Sequence, residues 1–413
     1  MCRVGAAILV LVLALAMGTP AFALIGTLDT VPAATLLVPY FQVDLNDPNG
    51  VTTLLSINNA SAGAILAHVT VWSDLSRPTL AFDVYLTGYD VYTLNLRDLF
   101  TTGVLPATST TVSPQGAFSS PDVNFPGCAG QLPLPPLAPE QLAHIRAAHT
   151  GQPSAIFGGQ CSGVDFGDNV ARGYITVDTV GACSILHPGS PGYFGPGGIA
   201  VNHNVLWGDF FYVDSANNFA QGENLVQIEA APAGFFVPGD YTFYGRYVAF
   251  TAVDQREGLA TTWAARFLNG GVFDGGTNLV VWRDSKSSNT NPFSCALVAP
   301  PPFPLSHTQI VAFDEQENPD IPEPPTFFPP VPDPQPIIPW EANLVTVGGP
   351  DLPVAFTFGW LYLNLNTSTG SVVDPFTQNY VAAIHSAAGR FSVGLSGLAL
   401  DNVTNPNTAI IGP

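Results

Sequence analysis

The chain has very little positive charge. Lys286 is its only lysine, and 11 basic residues stand against 31 aspartates and glutamates, which gives a formal net charge of −20 at pH 7. Binding a polyanion requires a patch of basic side chains, so we expect no nucleic-acid partner and no attraction to anionic lipid. An excess of carboxylates instead favours solubility and can recruit divalent cations.

Charge of either sign is also scarce. Charged residues make up 10% of the chain, against about 25% in typical domains. Hydrophobic residues reach 46%, which is enough to form a core and excludes an intrinsically disordered chain. Serine, threonine, asparagine and glycine must therefore supply much of the polar exterior.

Long hydrophobic runs are absent except at the amino terminus. An apolar run at 4–17 follows Arg3 and leads to an A-x-A site that ends at Ala23. This run is shorter than the roughly 20 residues that span a bilayer. The pattern predicts a secretory signal peptide at 1–23 and export to the extracellular space, the cell surface or the periplasm, with no membrane span after cleavage.

Cysteine is rare, and signal cleavage would remove one of the five. The remaining four are Cys128, Cys161, Cys183 and Cys295. An even number in an oxidising compartment predicts two disulfide bonds, for which three pairings are possible. Proximity in sequence favours Cys128 with Cys161 and Cys183 with Cys295. None of the spacings is C-x2-C, which argues against a zinc ribbon.

Short β-branched or alternating runs, bounded by turn residues, recur through most of the chain and predict β-strands. We expect an all-β fold of one or two antiparallel, immunoglobulin-like β-sandwiches with long Pro/Gly-rich insertions. The runs are 52–58, 65–73, 81–86, 91–96, 173–180, 205–213, 224–230, 241–253, 261–267, 278–282, 309–313, 344–347, 354–365, 380–385 and 390–400.

One short helix is predicted at Pro139–His149, because proline suits a first helical turn and Gly151 provides a stop. It lies in a loop-rich insertion at 101–169. The best burial is expected from a sandwich domain at 24–215 and a second at 216–413, which carries a Pro-rich excursion at 319–339. That excursion predicts extended polyproline II structure.

Four stretches of the chain resemble segments of uncharacterised exported β-sandwich proteins of environmental bacteria. They are ARGYITVDTV (171–180), NVLWGDFFYVD (204–214), FYGRYVAF (243–250) and LVVWRDSK (279–286). The resemblance spans most of the mature chain. It implies export and nothing about activity.

The run Asp44-Leu45-Asn46-Asp47-Pro48-Asn49-Gly50 is a candidate calcium site. Its side chains Asp44, Asn46, Asp47 and Asn49 carry the oxygen ligands that calcium prefers, but it lacks the register and distal glutamate of an EF-hand. The alternative is an Asx-rich turn between two strands. The segment 165–169 is a second candidate of the same kind. No motif for any other cofactor is present.

Aromatic residues make up 11% of the chain, including six tryptophans. Trp340, next to Glu341 and beside the Pro-rich segment, is the candidate platform for stacking a sugar ring. The other five, which lie in predicted strands, are expected to face a core: Trp72, Trp207, Trp263, Trp282 and Trp360.

No catalytic constellation is recognisable, and Asp209, Asp254 and Glu257 are the acids that flank aromatic strands. The composition therefore favours a secreted, non-enzymatic structural, surface or adhesion-type protein that self-associates or binds an extracellular glycan or protein. The alternative is a secreted glycan-binding or glycan-cleaving protein. A third hypothesis is that the extended segment 24–42 donates a strand to a neighbouring molecule.

Overall fold

The computed structural model describes residues 30–107, 124–132, 134–297, 299–322, 337–367 and 377–401. The predicted signal peptide lies outside the described residues, as does 323–336 within the Pro-rich excursion. Among the described residues, no helix combines the length and the apolar character needed to cross a bilayer.

Nineteen strands and two α-helices form the described structure. In chain order they are β1 (Thr35–Asp44), β2 (Val51–Asn59), β3 (Ile65–Ser73), β4 (Pro78–Leu86), β5 (Val91–Asn95), α1 (Leu96–Thr102), α2 (Pro139–His149), β6 (Val170–Val180), β7 (Leu206–Trp207), β8 (Asp209–Asp214), β9 (Phe219–Asn224), β10 (Val226–Ile228), β11 (Thr262–Leu268), β12 (Gly276–Arg283), β13 (Gln309–Phe313), β14 (Pro319–Asp320), β15 (Ala342–Thr346), β16 (Phe358–Asn364), β17 (Asn379–Ala387), β18 (Phe391–Ser396) and β19 (Leu398–Ala399). Most predicted strands are confirmed.

The strands form four antiparallel sheets, so the all-β, sandwich-like fold is confirmed. Sheet I has the order β10-β1-β6-β3-β4, sheet II β5-β2-β8-β9, sheet III β14-β13-β16-β11-β19 and sheet IV β15-β12-β17-β18. Sheets I and II contact each other through β1 and β2, and sheets III and IV through β11 and β17. Strand β1 also contacts β12 and β15, which brings the two pairs of sheets together.

The predicted helix at Pro139–His149 is confirmed, but the prediction of one helix is wrong because α1 is a second. The side chain of Asn95 accepts a hydrogen bond from the backbone N–H of Arg97 and caps α1. Gly103 ends this helix with φ of 71°, a left-handed conformation that favours glycine. The capping signals are present in the sequence, but the helix is only seven residues long.

The predicted strand at 241–253 is wrong. This segment contains a 3₁₀-helix at Gly245–Val248, followed by Ala249, Phe250 and Ala252 in left-handed conformations. Its alternating aromatic side chains resemble a strand pattern. Here, however, buried Tyr244 and buried Arg246 bind side chains of other elements, so the backbone follows those contacts rather than a ladder.

Strand β1 also overturns the strand-donation hypothesis for the part of 24–42 that the structure describes. The strand lies between β10 and β6 in its own sheet, with Thr35 opposite Ile228 on one side and Asp178 on the other. The strand is thus already paired in its own sheet, on both edges at Thr35–Leu37 and with β6 on one edge at Val38 and Phe41–Asp44, so it is not a strand held free for a neighbour.

The predicted boundary at 215/216 falls in the turn between β8 and β9, which pair with each other over their whole length. Strand β10, from beyond the boundary, pairs with β1. One hydrophobic cluster contains residues of both halves, among them Phe41, Trp72, Tyr244 and Trp282. The division into two domains stays a prediction.

Candidate functional site

A buried ionic cluster lies where elements of the two halves meet. Arg246 donates hydrogen bonds to both carboxylate oxygens of Glu341, one of them over 3.0 Å, and its Nη1 lies 3.2 Å from Asp284. The three side chains are at most 3% exposed. Burial alone would lower the pKa of Arg246, but the charge of Glu341 raises it well above its usual value. The cluster is therefore a sealed ion pair with a second acid beside it.

Hydroxyls and aromatic rings complete the surroundings of Arg246. Its Nη2 donates to Ser76 Oγ over 2.9 Å, and its guanidinium lies 4.6 Å from the ring centroid of Tyr247. The ring of Trp72 stacks on the rings of both Tyr174 and Tyr247, with centroids 5.7 and 5.6 Å away. These contacts satisfy the donors of Arg246 and enclose them in an apolar shell.

The three acids that flank predicted aromatic strands, Asp209, Asp254 and Glu257, are not brought together at one place. Asp254 is buried and accepts hydrogen bonds from Thr242 Oγ1 over 2.7 Å and from the backbone N–H of Tyr244 over 3.0 Å. Burial raises the pKa of Asp254. Asp209 lies on β8 in sheet II, whereas Glu257 lies in the loop after Asp254. Asp209 is therefore in a different part of the fold from Asp254 and Glu257, which share one loop beside Thr242.

The two predicted disulfide bonds are present, but the favoured pairing is wrong. Cys128 bonds Cys183, and Cys161 bonds Cys295. The cause is tertiary, since Cys161 and Phe293 exchange two backbone hydrogen bonds of 2.9 Å that bring distant loops side by side. The second bond joins cysteines 134 residues apart, so proximity in sequence was the wrong criterion for choosing the pairing.

The calcium candidate at Asp44–Gly50 is a turn whose acidic side chains accept backbone hydrogen bonds. Asp44 Oδ1 accepts from the N–H groups of Asn46 and Asp47 over 2.8 and 3.0 Å, and Asp47 Oδ1 accepts from that of Asn49 over 2.8 Å. These are Asx-turn contacts. Among the described residues, no group of three or more His, Cys, Asp or Glu is arranged to hold a metal ion.

The guanidinium of Arg97 occupies the carbonyl-lined side of this turn. Its Nη1 donates to the carbonyl oxygens of Asp44 and Asp47 over 2.8 and 2.7 Å, and its Nη2 to those of Gly50 and Val51 over 2.6 and 3.0 Å. The side chain of Arg97 thus binds backbone carbonyl oxygens of the turn that could otherwise bind a metal ion. Calcium at Asp44, Asn46, Asp47 and Asn49 stays a prediction.

A groove with a volume of about 450 Å³ opens between sheet I and sheet IV. Tyr40 and Gln42 of β1 line it, together with Arg172 of β6, which is paired with Gln42 across the two strands. The predicted platform Trp340 lines the same groove and is half-buried. We call this feature the Trp340 groove.

Trp340 is held in place by its neighbours. Its backbone N–H donates to Asn343 Oδ1 over 3.0 Å, and its carbonyl accepts from Asn343 Nδ2 over 2.7 Å. The next residue, Glu341, is fully buried in the ion pair, and its N–H donates to the carbonyl of Asp74 over 3.0 Å. The Trp340 backbone is thereby anchored to the molecular interior while its side chain lines the groove.

Phe166 is a second aromatic side chain that lines the Trp340 groove, with Arg172 against its ring. Neither residue was predicted to belong to a ligand platform. Phe166 is 48% exposed, and the guanidinium of Arg172 lies 4.5 Å from its ring centroid. Asp168 binds Arg172 through both carboxylate oxygens. The only sequence signal was the acidic run at 165–169, which carries Phe166 and was interpreted as an ion site.

The remaining five tryptophans are buried to different degrees. Trp72, Trp263 and Trp282 are fully buried, as predicted. Trp207 is 42% exposed, so the prediction that it packs in a core is wrong. Trp360 is half-buried and stacks on Phe313 with centroids 4.9 Å apart. Successive side chains of a strand point to opposite faces; in β7, Leu206 takes the buried face and Trp207 the exposed one.

A second groove, of about 320 Å³, lies between the β8–β9 hairpin and the β17–β18 hairpin. Asn217, Asn218 and Phe219 line it from one hairpin, and Gly389 and Phe391 from the other. Unlike the Trp340 groove, which Arg172 lines, this second groove has no cationic side chain among the described residues that line it.

In comparisons with known proteins, no family model matches the chain, and no curated protein or solved structure is significantly similar to it.

Proposed function

We propose that the protein is exported and acts outside the cytoplasm as a non-enzymatic structural, surface or adhesion component. The disulfide bonds Cys128–Cys183 and Cys161–Cys295 support an oxidising compartment. The apolar run that ends near Ala23 supports export. A strongly acidic, lysine-poor composition suits a soluble exterior protein.

The observation that carries the non-enzymatic proposal is the position of Arg246, Glu341 and Asp284. Active sites characteristically place perturbed ionisable groups in a cleft. Here this cluster is sealed, and its members line neither of the two grooves described above. Its contacts tie the 241–256 segment and the ends of β12 and β15, which are neighbours in sheet IV, to Ser76 and to Tyr174 of sheet I, so its role is to hold these two sheets together.

Two assays on the oxidised, full-length secreted protein test this proposal. The first measures turnover on panels of chromogenic glycosides, esters and peptides, with Asp209→Asn and Glu257→Gln as comparison proteins. The second exposes intact producing cells to a protease and asks whether the protein is cleaved or is already in the medium. We expect no turnover above a heat-denatured sample, and accessibility outside the cell. Turnover that either substitution abolishes, or retention in the cytoplasm, contradicts the proposal.

A further inference from the structure

We propose that the Trp340 groove binds a neutral saccharide, with the rings of Phe166 and Trp340 as its stacking platforms. This inference rests on the proposed function only in placing the protein where it meets extracellular glycans. Its chemistry comes from the groove itself.

The two rings supply the apolar part of the site. Phe166 is 48% exposed although it is a large aromatic side chain. Trp340 lines the same groove and is half-buried. Sugar rings present faces of C–H groups that stack on aromatic rings, while their edges carry hydroxyls. An exposed ring inside a groove, rather than on a convex surface, suits such a ligand.

Polar groups beside the rings can bind hydroxyls. Gln42, Arg172 and Asp351 line the groove and are each at least partly exposed. Together they offer an amide, a guanidinium and a carboxylate, so a hydroxyl finds both donors and acceptors. A volume of about 450 Å³ lies within the range of small-ligand sites.

The charges favour a neutral ligand over an acidic one. Arg172 is the cation of the groove among the described residues, and Asp168 already neutralises it through a two-point contact. Asp351 adds a negative charge, and the whole chain carries a formal charge of −20. A uronic-acid polymer would therefore meet repulsion without an unpaired cation to offset it.

The groove is also pre-organised. The Cys161–Cys295 bond holds the loop that leads to Phe166, and Asp168 fixes Arg172 beneath the ring. On the other side, Asn343 and the buried Glu341 fix the backbone of Trp340. Binding then requires little ordering of the protein, which preserves the free energy gained from stacking.

Affinity electrophoresis of the oxidised protein tests the inference. Native gels contain mixed-linkage β-glucan, xyloglucan, galactomannan or dextran as neutral probes, and alginate as the acidic probe. We expect retardation by at least one neutral polymer and none by alginate. Phe166→Ala and Trp340→Ala should each weaken binding about tenfold or more, as the removal of a central aromatic contact does.

Matched controls are Trp207→Ala and Phe235→Ala, which remove exposed rings that do not line the groove; both should bind as wild type. Thermal unfolding of every variant checks its fold. If Trp340→Ala is unfolded, Phe166→Ala decides, because Phe166 lies in the exposed segment 165–169.

Three outcomes overturn the inference: migration unaffected by all four neutral polymers, retardation by alginate alone, or neutral-polymer binding that both ring variants retain. None of these outcomes changes the turnover or protease-accessibility results, so failure of the saccharide site is distinguishable from failure of the proposed function.

Discussion

Arg246 and Glu341, 95 positions apart in the chain, form a two-point ion pair that is almost completely sealed from solvent. Moving either charge out of water is unfavourable, and only the partner and the neighbouring hydrogen bonds offset that cost. Replacing only one of the two residues should therefore have the largest effect on the free energy of unfolding. It also fixes Trp340, so its integrity bears on the groove as well as on stability.

Arg246→Met leaves the carboxylate of Glu341 buried without its cation. We expect the free energy of unfolding to fall by about 3–5 kcal/mol, the usual effect of breaking a buried pair on one side. Chemical denaturation of the oxidised protein at neutral pH measures it. The double variant Arg246→Met, Glu341→Leu should lose less than the two single variants together, because no uncompensated charge remains.

Arg390→Met is the matched control for this experiment. Arg390 pairs with Asp274 at the surface, where both side chains are at least 50% exposed, and such pairs contribute little. A similar loss of stability in Arg390→Met and Arg246→Met would mean that burial does not determine the importance of these pairs.

The disulfide pairing can be read directly from a tryptic digest. Each of the four cysteines falls in a different tryptic peptide, because Arg146, Arg172 and Arg246 separate the first three and Lys286 precedes the last. Mass spectrometry of the unreduced digest should find 98–146 linked to 173–246, and 147–172 linked to 287–390. A linkage between 98–146 and 147–172 would contradict the structure.

Asp74 gives the protein a specific dependence on pH. Burial raises the pKa of this carboxyl to about 7, although a hydrogen bond from the N–H of Val164 and the charge of Arg172 both lower it. Between about pH 4 and pH 7 the folded state therefore holds a proton that the unfolded state releases, and stability from this group is lost as pH rises through that window.

Asp74→Asn should remove this loss. Relative to wild type, the variant should gain a few kcal/mol of stability between pH 4 and pH 8, since each pKa unit corresponds to about 1.4 kcal/mol. Denaturation curves at the two pH values measure the difference. Asp98→Asn, which removes an exposed carboxylate of α1, is the control, and equal behaviour of the two variants would refute the role of Asp74.

Two experiments on the turn at Asp44–Gly50 distinguish the predicted calcium site from the alternative, an Asx-rich turn. Arg97→Met removes the donor shared by four carbonyl oxygens of this turn, and we expect a loss of about 1–3 kcal/mol in the free energy of unfolding. Millimolar calcium should leave the Tm of wild type unchanged, because the carboxylates of Asp44 and Asp47 already accept backbone hydrogen bonds and Arg97 already binds the carbonyl oxygens of the turn. A Tm that rises with calcium concentration would instead establish calcium binding to the folded protein.

Local sequence signals predicted most strands and the helix α2, since alternation, Pro139 and Gly151 act over a few residues. They failed at 241–253, where the aromatic alternation serves long-range contacts of Tyr244 and Arg246. An arginine amid aromatic residues was itself a signal that a buried partner exists, but nothing local identifies Glu341 as that partner.

Only one part of the Trp340 groove, the tryptophan itself, could be predicted from the sequence, and the reason is the same. Trp340 could be singled out by its position beside a Pro-rich segment. Phe166 and Arg172 become relevant only when β15 lies across β1 and β6, a juxtaposition between segments far apart in sequence. The disulfide pairing depended on a similar juxtaposition, that of Cys161 with Phe293.

The ion pair also bears on how the molecule is made. A chain synthesised from its amino terminus presents Arg246 well before Glu341 exists, because 95 positions separate them. Until that carboxylate emerges, closing the 241–256 segment over Trp72 would bury Arg246 without its two-point partner, with Asp284 at 3.2 Å as the nearby acid. The amino-terminal sheets can therefore assemble early. The contact between the 241–256 segment and Trp72 is completed only when the last quarter of the chain has been synthesised. Any product truncated before Glu341 should leave this contact open to proteases.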